Sequence, residues 1–253
     1  MADCNHNHYW QKVKDYNGQL TVSKNFVETY QAATGLIKWK DHINVPNPGT
    51  VAGKIIGTGI LISKNLFLTA RHGFNSSLSF PRDPRIPNST PSLEFMVKHI
   101  EICFDFLENI SSAVKINIAR VCKEKCVYCE NPHNDSVIDY LLLELEGFPG
   151  NRFTTIKLAS QDPAVNTTLC IIGHPYDGEP KTIAPGIVKS ISGNLIYHDI
   201  DTREGYSGSG ILSVNGDKGN LVGIHLEGDC FGNLNNNRGI RSTVLREELA
   251  EFI

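Results

Sequence analysis

Short apolar runs recur along this chain of 253 residues, separated by clusters of Gly, Pro, Asn and Ser. The sharpest lies within Val51 to Ile62, where Lys54-Ile55-Ile56-Gly57-Thr58-Gly59-Ile60-Leu61-Ile62 mixes small and apolar side chains. Ser63-Lys64-Asn65 supplies a turn, and Leu66-Phe67-Leu68-Thr69-Ala70 predicts a second strand that ends at Arg71-His72. Further strands are expected over Gln19 to Val22, Gly35 to Trp39, Phe95 to Phe106, Ala113 to Cys122 and Ile138 to Leu145, then over Thr168 to Gly173, Gly186 to Ser192 and Leu195 to Ile200. Ile211 to Val214 and Leu221 to His225 form a hairpin about Asn215 to Gly219.

Asn25 to Thr34 reads as a helical turn or two, and Asn44 to Gly49, with two prolines, as a turn. Residues 75–92 and 229–240 read as loops, and Gly147 to Asn151 as a boundary between two halves. Ser242 or Thr243 caps a last helix over Val244 to Phe252. Short strands punctuated by turns every ~8–12 residues predict an all-β barrel or sandwich.

Composition is that of a globular protein, 40% hydrophobic and 20% charged. A net charge of -3 gives no basic footprint for nucleic acid. No apolar run approaches the ~18 residues that signal a membrane-spanning helix, so neither a nucleic acid nor a membrane partner is expected. The polar start Met1-Ala2-Asp3-Cys4-Asn5-His6-Asn7-His8 has no apolar leader core. Seven irregularly spaced Cys do not form a disulfide framework. Together these predict a cytoplasmic or non-classically exported protein, or a secreted one if a leader precedes Met1. Cys122, Cys126, Cys129 and His133 carry ligand types for a structural tetrahedral zinc, though their spacing is tighter than in ordinary fingers. Free thiols, or one local disulfide, in a surface loop are the alternative.

Candidate chemistry centres on Gly205-Tyr206-Ser207-Gly208-Ser209-Gly210. Glycines on both sides of a serine permit sharp turns that present a hydroxyl and leave backbone N–H groups unencumbered. Acyl transfer needs that pair, a nucleophile beside donors for the oxyanion. His72 at a strand end is a base able to take and return a proton near neutral pH. Asp139, just ahead of the apolar run Tyr140-Leu141-Leu142-Leu143, is a carboxylate suited to orient it. Asp135 is the alternative orienter, since it also precedes that run.

In the order His, Asp, Ser, these blocks resemble a chymotrypsin-fold serine protease, most closely the glutamyl endopeptidase branch. Thr69-Ala70-Arg71-His72 is similar to the family's Thr-x-x-His block, and Asp139 to Leu145 to its Asp-x-Ala-Leu-Leu-x-Leu strand. Asp201-Thr202 followed by Gly205-Tyr206-Ser207-Gly208-Ser209, Gly223-Ile224-His225 and Ile172-Gly173-His174-Pro175 resemble further blocks of the branch. Gly210 departs from the family's proline after the second serine, and the His-to-Asp gap is long.

The resemblance implies two antiparallel six-stranded barrels and a C-terminal helix. Residues 1–50 would form an extension and first strands, 51–148 the first barrel and 149–253 the second. It also implies a Ser207-His72-Asp139 triad, an oxyanion hole from the N–H groups of Gly205 and Ser207, a protein or peptide substrate, and no required cofactor. Thr202 and His225 imply cleavage after Glu, with Asp weaker. Asp201, six residues before Ser207, is the competing sign for cleavage after Arg or Lys. A catalytically silent relative that binds peptides is the runner-up. The order Ser, Asp, His of α/β-hydrolases opposes that fold.

Overall fold

A computed structural model describes residues 9–43, 51–74, 92–127, 135–176, 179–228 and 237–253. Six strands close the first antiparallel barrel: β2 (Thr34–Trp39), β3 (Ile55–Leu61), β4 (Leu66–Thr69), β5 (Ile100–Phe104), β6 (Val114–Cys126) and β7 (Asp139–Leu145), in the order β2-β3-β4-β7-β6-β5. The second barrel uses β8 (Thr168–Gly173), β9 (Thr182–Ser192), β10 (Leu195–His198), β11 (Gly210–Asn215), β12 (Lys218–Glu227) and β13 (Asn237–Arg241). Their order is β9-β10-β13-β12-β11-β8, closed by β8 on β9, with β1 (Gln11–Lys12) added outside β9. Two barrels and a terminal helix are the architecture the resemblance implied.

The central strands explain why the barrels adhere. Along a strand successive side chains point to opposite faces. On β4 and β7, Phe67, Leu141, Leu143 and Leu145 fill the first barrel with Ile102 and Phe104. The alternate residues Leu66, Leu68, Tyr140 and Leu142 join Ile172, Leu212, Leu221 and Leu245 in a cluster that runs into the second barrel. A strand buried on both faces reads as a nearly unbroken apolar run, as Tyr140 to Leu143 does. Gly59 is required beside Phe67, because a Cβ there would stand 2.3 Å from the ring.

Several elements depart from the sequence reading. Phe95 does not open a strand: α2 (Leu93–Lys98) covers it, capped by the Ser92 hydroxyl, which accepts from Phe95 N–H. The strand begins only at Ile100. Gln19 to Val22 is irregular, with Thr21 at φ 54° and the Val22 carbonyl taken by the Tyr16 hydroxyl, so no ladder forms. Residues 237–240, read as loop, belong to β13 because their backbone is paired on both sides, to β10 and β12. The hydroxyls of Ser242 and Thr243 bond Ala159 O and Asp162 rather than capping α3 (Ser242–Glu248). Asn44 to Gly49 and nearly all of the 75–92 loop lie outside the described residues.

The chain before the first barrel attaches to the second. Besides the β1–β9 pairing, the N-cap Ser23 of α1 (Lys24–Tyr30) bonds Asp217, and the Tyr30 hydroxyl accepts from Gly219 N–H at 2.9 Å.

Candidate active site

β4 and β7 pair through Thr69 and Leu141, which sets the chain after β4 beside the start of β7. Asp139 is fully buried there. Its Oδ1 accepts from the backbone N–H of Arg71 (2.7 Å) and of His72 (3.1 Å), and its Oδ2 lies 2.5 Å from His72 Nδ1. A carboxylate oxygen at Nδ1 places the imidazole proton on that nitrogen and leaves the Nε2 lone pair as the basic site. Asp135 instead accepts from Ser192 Oγ (2.6 Å) and Tyr197 Oη (2.7 Å). Those bonds hold its carboxyl below its usual value and fasten the β9–β10 hairpin to the first barrel.

The Ser207 loop descends from the second barrel onto the first. Gly205 (φ 99°) and Gly208 (φ 84°) take conformations that disfavour a side chain, and a Cβ on Gly208 would stand 2.1 Å from Thr69 Oγ1. Thr58, on β3, donates its N–H to Ser207 O at 3.1 Å and its hydroxyl to Gly205 O at 2.9 Å. Tyr176 N–H donates to Glu204 O at 2.8 Å. Holding that carbonyl turns the other side of the planar peptide, Gly205 N–H, the opposite way. The N–H groups of Gly205 and Ser207 have no partner among the described residues. The Ser207 hydroxyl donates to Leu226 O at 3.1 Å rather than to His72.

The predicted pocket residues lie around this loop. His225 carries its N–H to Ser209 O and accepts from Gly208 N–H, both at 2.8 Å, so β12 brackets the serine loop. Its buried ring is 3.3 Å, Nδ1 to Nε2, from His198. Burial, then the neighbouring His198 and His72 rings, push the His225 imidazole well below its ordinary value. Burial alone lowers His198 to about 3, so both rings are neutral near pH 7. Thr202 Oγ1 accepts from Asn237 Nδ2 at 2.8 Å. Asp201 accepts from Tyr9 N–H at 3.0 Å and so faces the N-terminal segment.

The family model for the trypsin-like peptidase domain matches residues 57–224. The chain belongs to the trypsin-like peptidase family. Among solved structures it is similar to a Glu endopeptidase (TM-score 0.63, 19% identity, covering 88% of this chain and 90% of that one). It is also similar to neuropsin, a serine protease of mouse brain (TM-score 0.61, 16% identity, 87% and 94% covered). A third is a serine endoprotease from Yersinia pestis (TM-score 0.58, 15% identity, 90% and 64% covered). No curated protein matches the chain in sequence.

In this trypsin-like peptidase chain, His198, Asn237 and Thr58 are the site neighbours that sequence reasoning passed over. His198 and Asn237 join through sheet register and Thr58 through hydrogen bonds between the barrels, signals absent from the local motif. Of the suggested zinc ligands, Cys122 and Cys126 lie on β6 rather than in a loop. Cys122 is a free thiol and Cys126 is disulfide-bonded, which removes the thiolate that zinc needs from Cys126. Cys129 and His133 lie outside the described residues. Family chemistry requires no cofactor.

Proposed function

We propose that this chain is a serine endopeptidase that cleaves after Glu, and more weakly after Asp. Ser207 is the nucleophile, His72 the base and then the acid, and Asp139 the orienter. In this reading Ser207 Oγ attacks the scissile carbonyl carbon as His72 Nε2 takes its proton. The N–H groups of Gly205 and Ser207 bind the oxyanion, and the proton passes to the leaving amine as the C–N bond breaks. Water then repeats the sequence on the acyl-enzyme. The observation that carries this is the buried Asp139 fixed on His72 Nδ1 and on two backbone N–H groups. The N–H pair of Gly205 and Ser207, without a partner among the described residues, supports it. Glutamyl preference is supported by Thr202 and His225 beside the serine loop, and by the Asp201 carboxylate being engaged by Tyr9.

One observation favours a silent, peptide-binding relative: the Ser207 hydroxyl bonds Leu226 O in place of His72. Catalytic hydrogen bonds often tighten only when substrate binds, so labelling decides. A fluorophosphonate probe is expected to label wild type at Ser207 and to leave Ser207→Ala and His72→Ala unlabelled. Wild type left unlabelled overturns the peptidase reading. Matched peptides with Glu, Gln, Arg or Leu before the scissile bond then test preference, and a preference for Arg overturns the glutamyl reading.

A further inference from the structure

In the glutamyl reading, the pocket beside Ser207 has two polar groups whose hydrogens could point either way, the His225 imidazole and the Thr202 hydroxyl. Each is backed by a buried residue that settles the question. Ile200 N–H donates to His198 Nδ1 at 3.3 Å. That nitrogen is therefore the unprotonated one, and the neutral His198 carries its proton on Nε2. His198 Nε2–H faces His225 Nδ1 at 3.3 Å, which must accept. His225 is left with its proton on Nε2, on the opposite side of the ring, where it has no partner among the described residues. Asn237 works in the same way on the other wall. Its Nδ2 lies 2.5 Å from Ile200 O, an acceptor, so the amide orientation is determined. The second N–H of the same nitrogen occupies a lone pair of Thr202 Oγ1. Thr202's single O–H must then point away from Asn237.

We infer that His198 and Asn237 are positioning residues that set the polarity of the primary pocket, turning His225 Nε2–H and Thr202 O–H outward as donors so that the pocket accepts a carboxylate and disfavours a carboxamide. This rests on the glutamyl reading above. An ionised carboxylate is acceptor-only, whereas a carboxamide brings two N–H donors of its own. A wall of fixed donors suits the first and leaves the amide of the second opposed. Discrimination then needs no formal charge on His225, which burial keeps neutral. Gly228 packs closely on this pair: a Cβ there would stand 2.8 Å from Asn237 Oδ1 and 3.6 Å from Thr202 Oγ1.

Long-range nitrogen–proton correlation spectra of imidazole-labelled wild-type protein test the polarity directly. His225 is expected as the Nε2–H tautomer, assigned by loss of its signals in His225→Gln. Removing the donor with His198→Phe is expected to lower the Glu-over-Gln ratio of kcat/KM roughly ten- to a hundredfold, mainly through KM for the Glu peptide. His198→Gln can accept from Ile200 N–H and donate to His225, and is expected to keep the ratio within about threefold of wild type. Asn237→Asp, which would draw the Thr202 hydrogen onto itself, is expected to lower the ratio. An Nδ1–H tautomer at His225 in wild type overturns the inference, as do His198→Phe and His198→Gln acting alike. A wild type indifferent to Glu and Gln overturns the glutamyl reading and the selectivity argued from it. The tautomer measurement judges the polarity of His225 separately.

Discussion

At the scale of single residues, two aspartates precede the same apolar strand and do different work. The Asp139 carboxylate gives its bonds to the Arg71–His72 segment, while Asp135 gives its carboxylate to the second barrel. Asp139→Asn should place an amide N–H or a poorer acceptor against His72 Nδ1 and disturb the tautomer. A loss of about 10⁴-fold in kcat, with little change in KM, is expected. Asp135→Asn should change kcat by less than about tenfold and act on stability instead, lowering Tm by loosening two hydroxyl contacts. Steady-state kinetics and thermal unfolding on the pair separate these roles. An equal loss of kcat in both would reassign the orienter. His72, Asp139 and Ser207 stood out as candidates in the sequence because each sits in a local block: a strand end, an acid ahead of an apolar run, a serine among glycines. His198 and Asn237 were not. They lie opposite each other only through the β10–β13 register, and His225 meets Gly239 only through β12–β13. Nothing in a neutral, buried histidine's own neighbourhood announces its partner.

At the scale of elements, apolar runs with turn punctuation located most strands, since burial of alternate residues is what a strand pattern records. The failures are places where a competing local interaction wins. Ser92 caps a helix over residues that look like strand, and β13 is a polar, glycine-containing strand whose pairing on both sides outweighs its composition. The segment after β8 bears on the proposed oxyanion hole. Tyr176 N–H holds Glu204 O, and through that planar peptide it aims Gly205 N–H. Tyr176→Pro removes the donor and frees the peptide to turn over. A fall of about 10²- to 10³-fold in kcat is expected, the usual cost of one oxyanion donor. Tyr176→Ala keeps the N–H and should retain kcat within about tenfold. If both substitutions cost the same, the aromatic ring rather than the amide is what matters.

At the scale of the whole molecule, the barrels meet through polar groups as well as through the shared core. Lys181, just ahead of β9, is fully buried and donates to Gln31 O (2.8 Å), Gln31 Oε1 (3.1 Å) and Thr34 O (3.3 Å) at the start of the first barrel. Burial lowers its ammonium to about 7, opposed weakly by Asp105. His174, also buried, lies close enough for Lys181 to lower it further. The unfolded chain keeps the lysine proton up to its ordinary value, while the folded chain releases it near 7. Between these values the unfolded state binds more protons, so stability should rise with pH. Denaturant titrations from pH 6 to 10 should show this rise in wild type and a flatter profile in Lys181→Met. An unchanged profile would mean that Lys181 stays charged when folded. Thr58 extends the junction to the serine loop itself, since one residue of the first barrel holds the carbonyls of both Gly205 and Ser207. Neither half alone can therefore shape that loop. The N-terminal arm, although it precedes the first barrel, grips the second through β1, Ser23 and Tyr30. A chain divided at Gly147 would give one fragment with a ready handle for the other. Mixed fragments should regain hydrolysis at a rate second-order in fragment concentration, which would make this fold a two-piece proximity reporter with its own recognition arm.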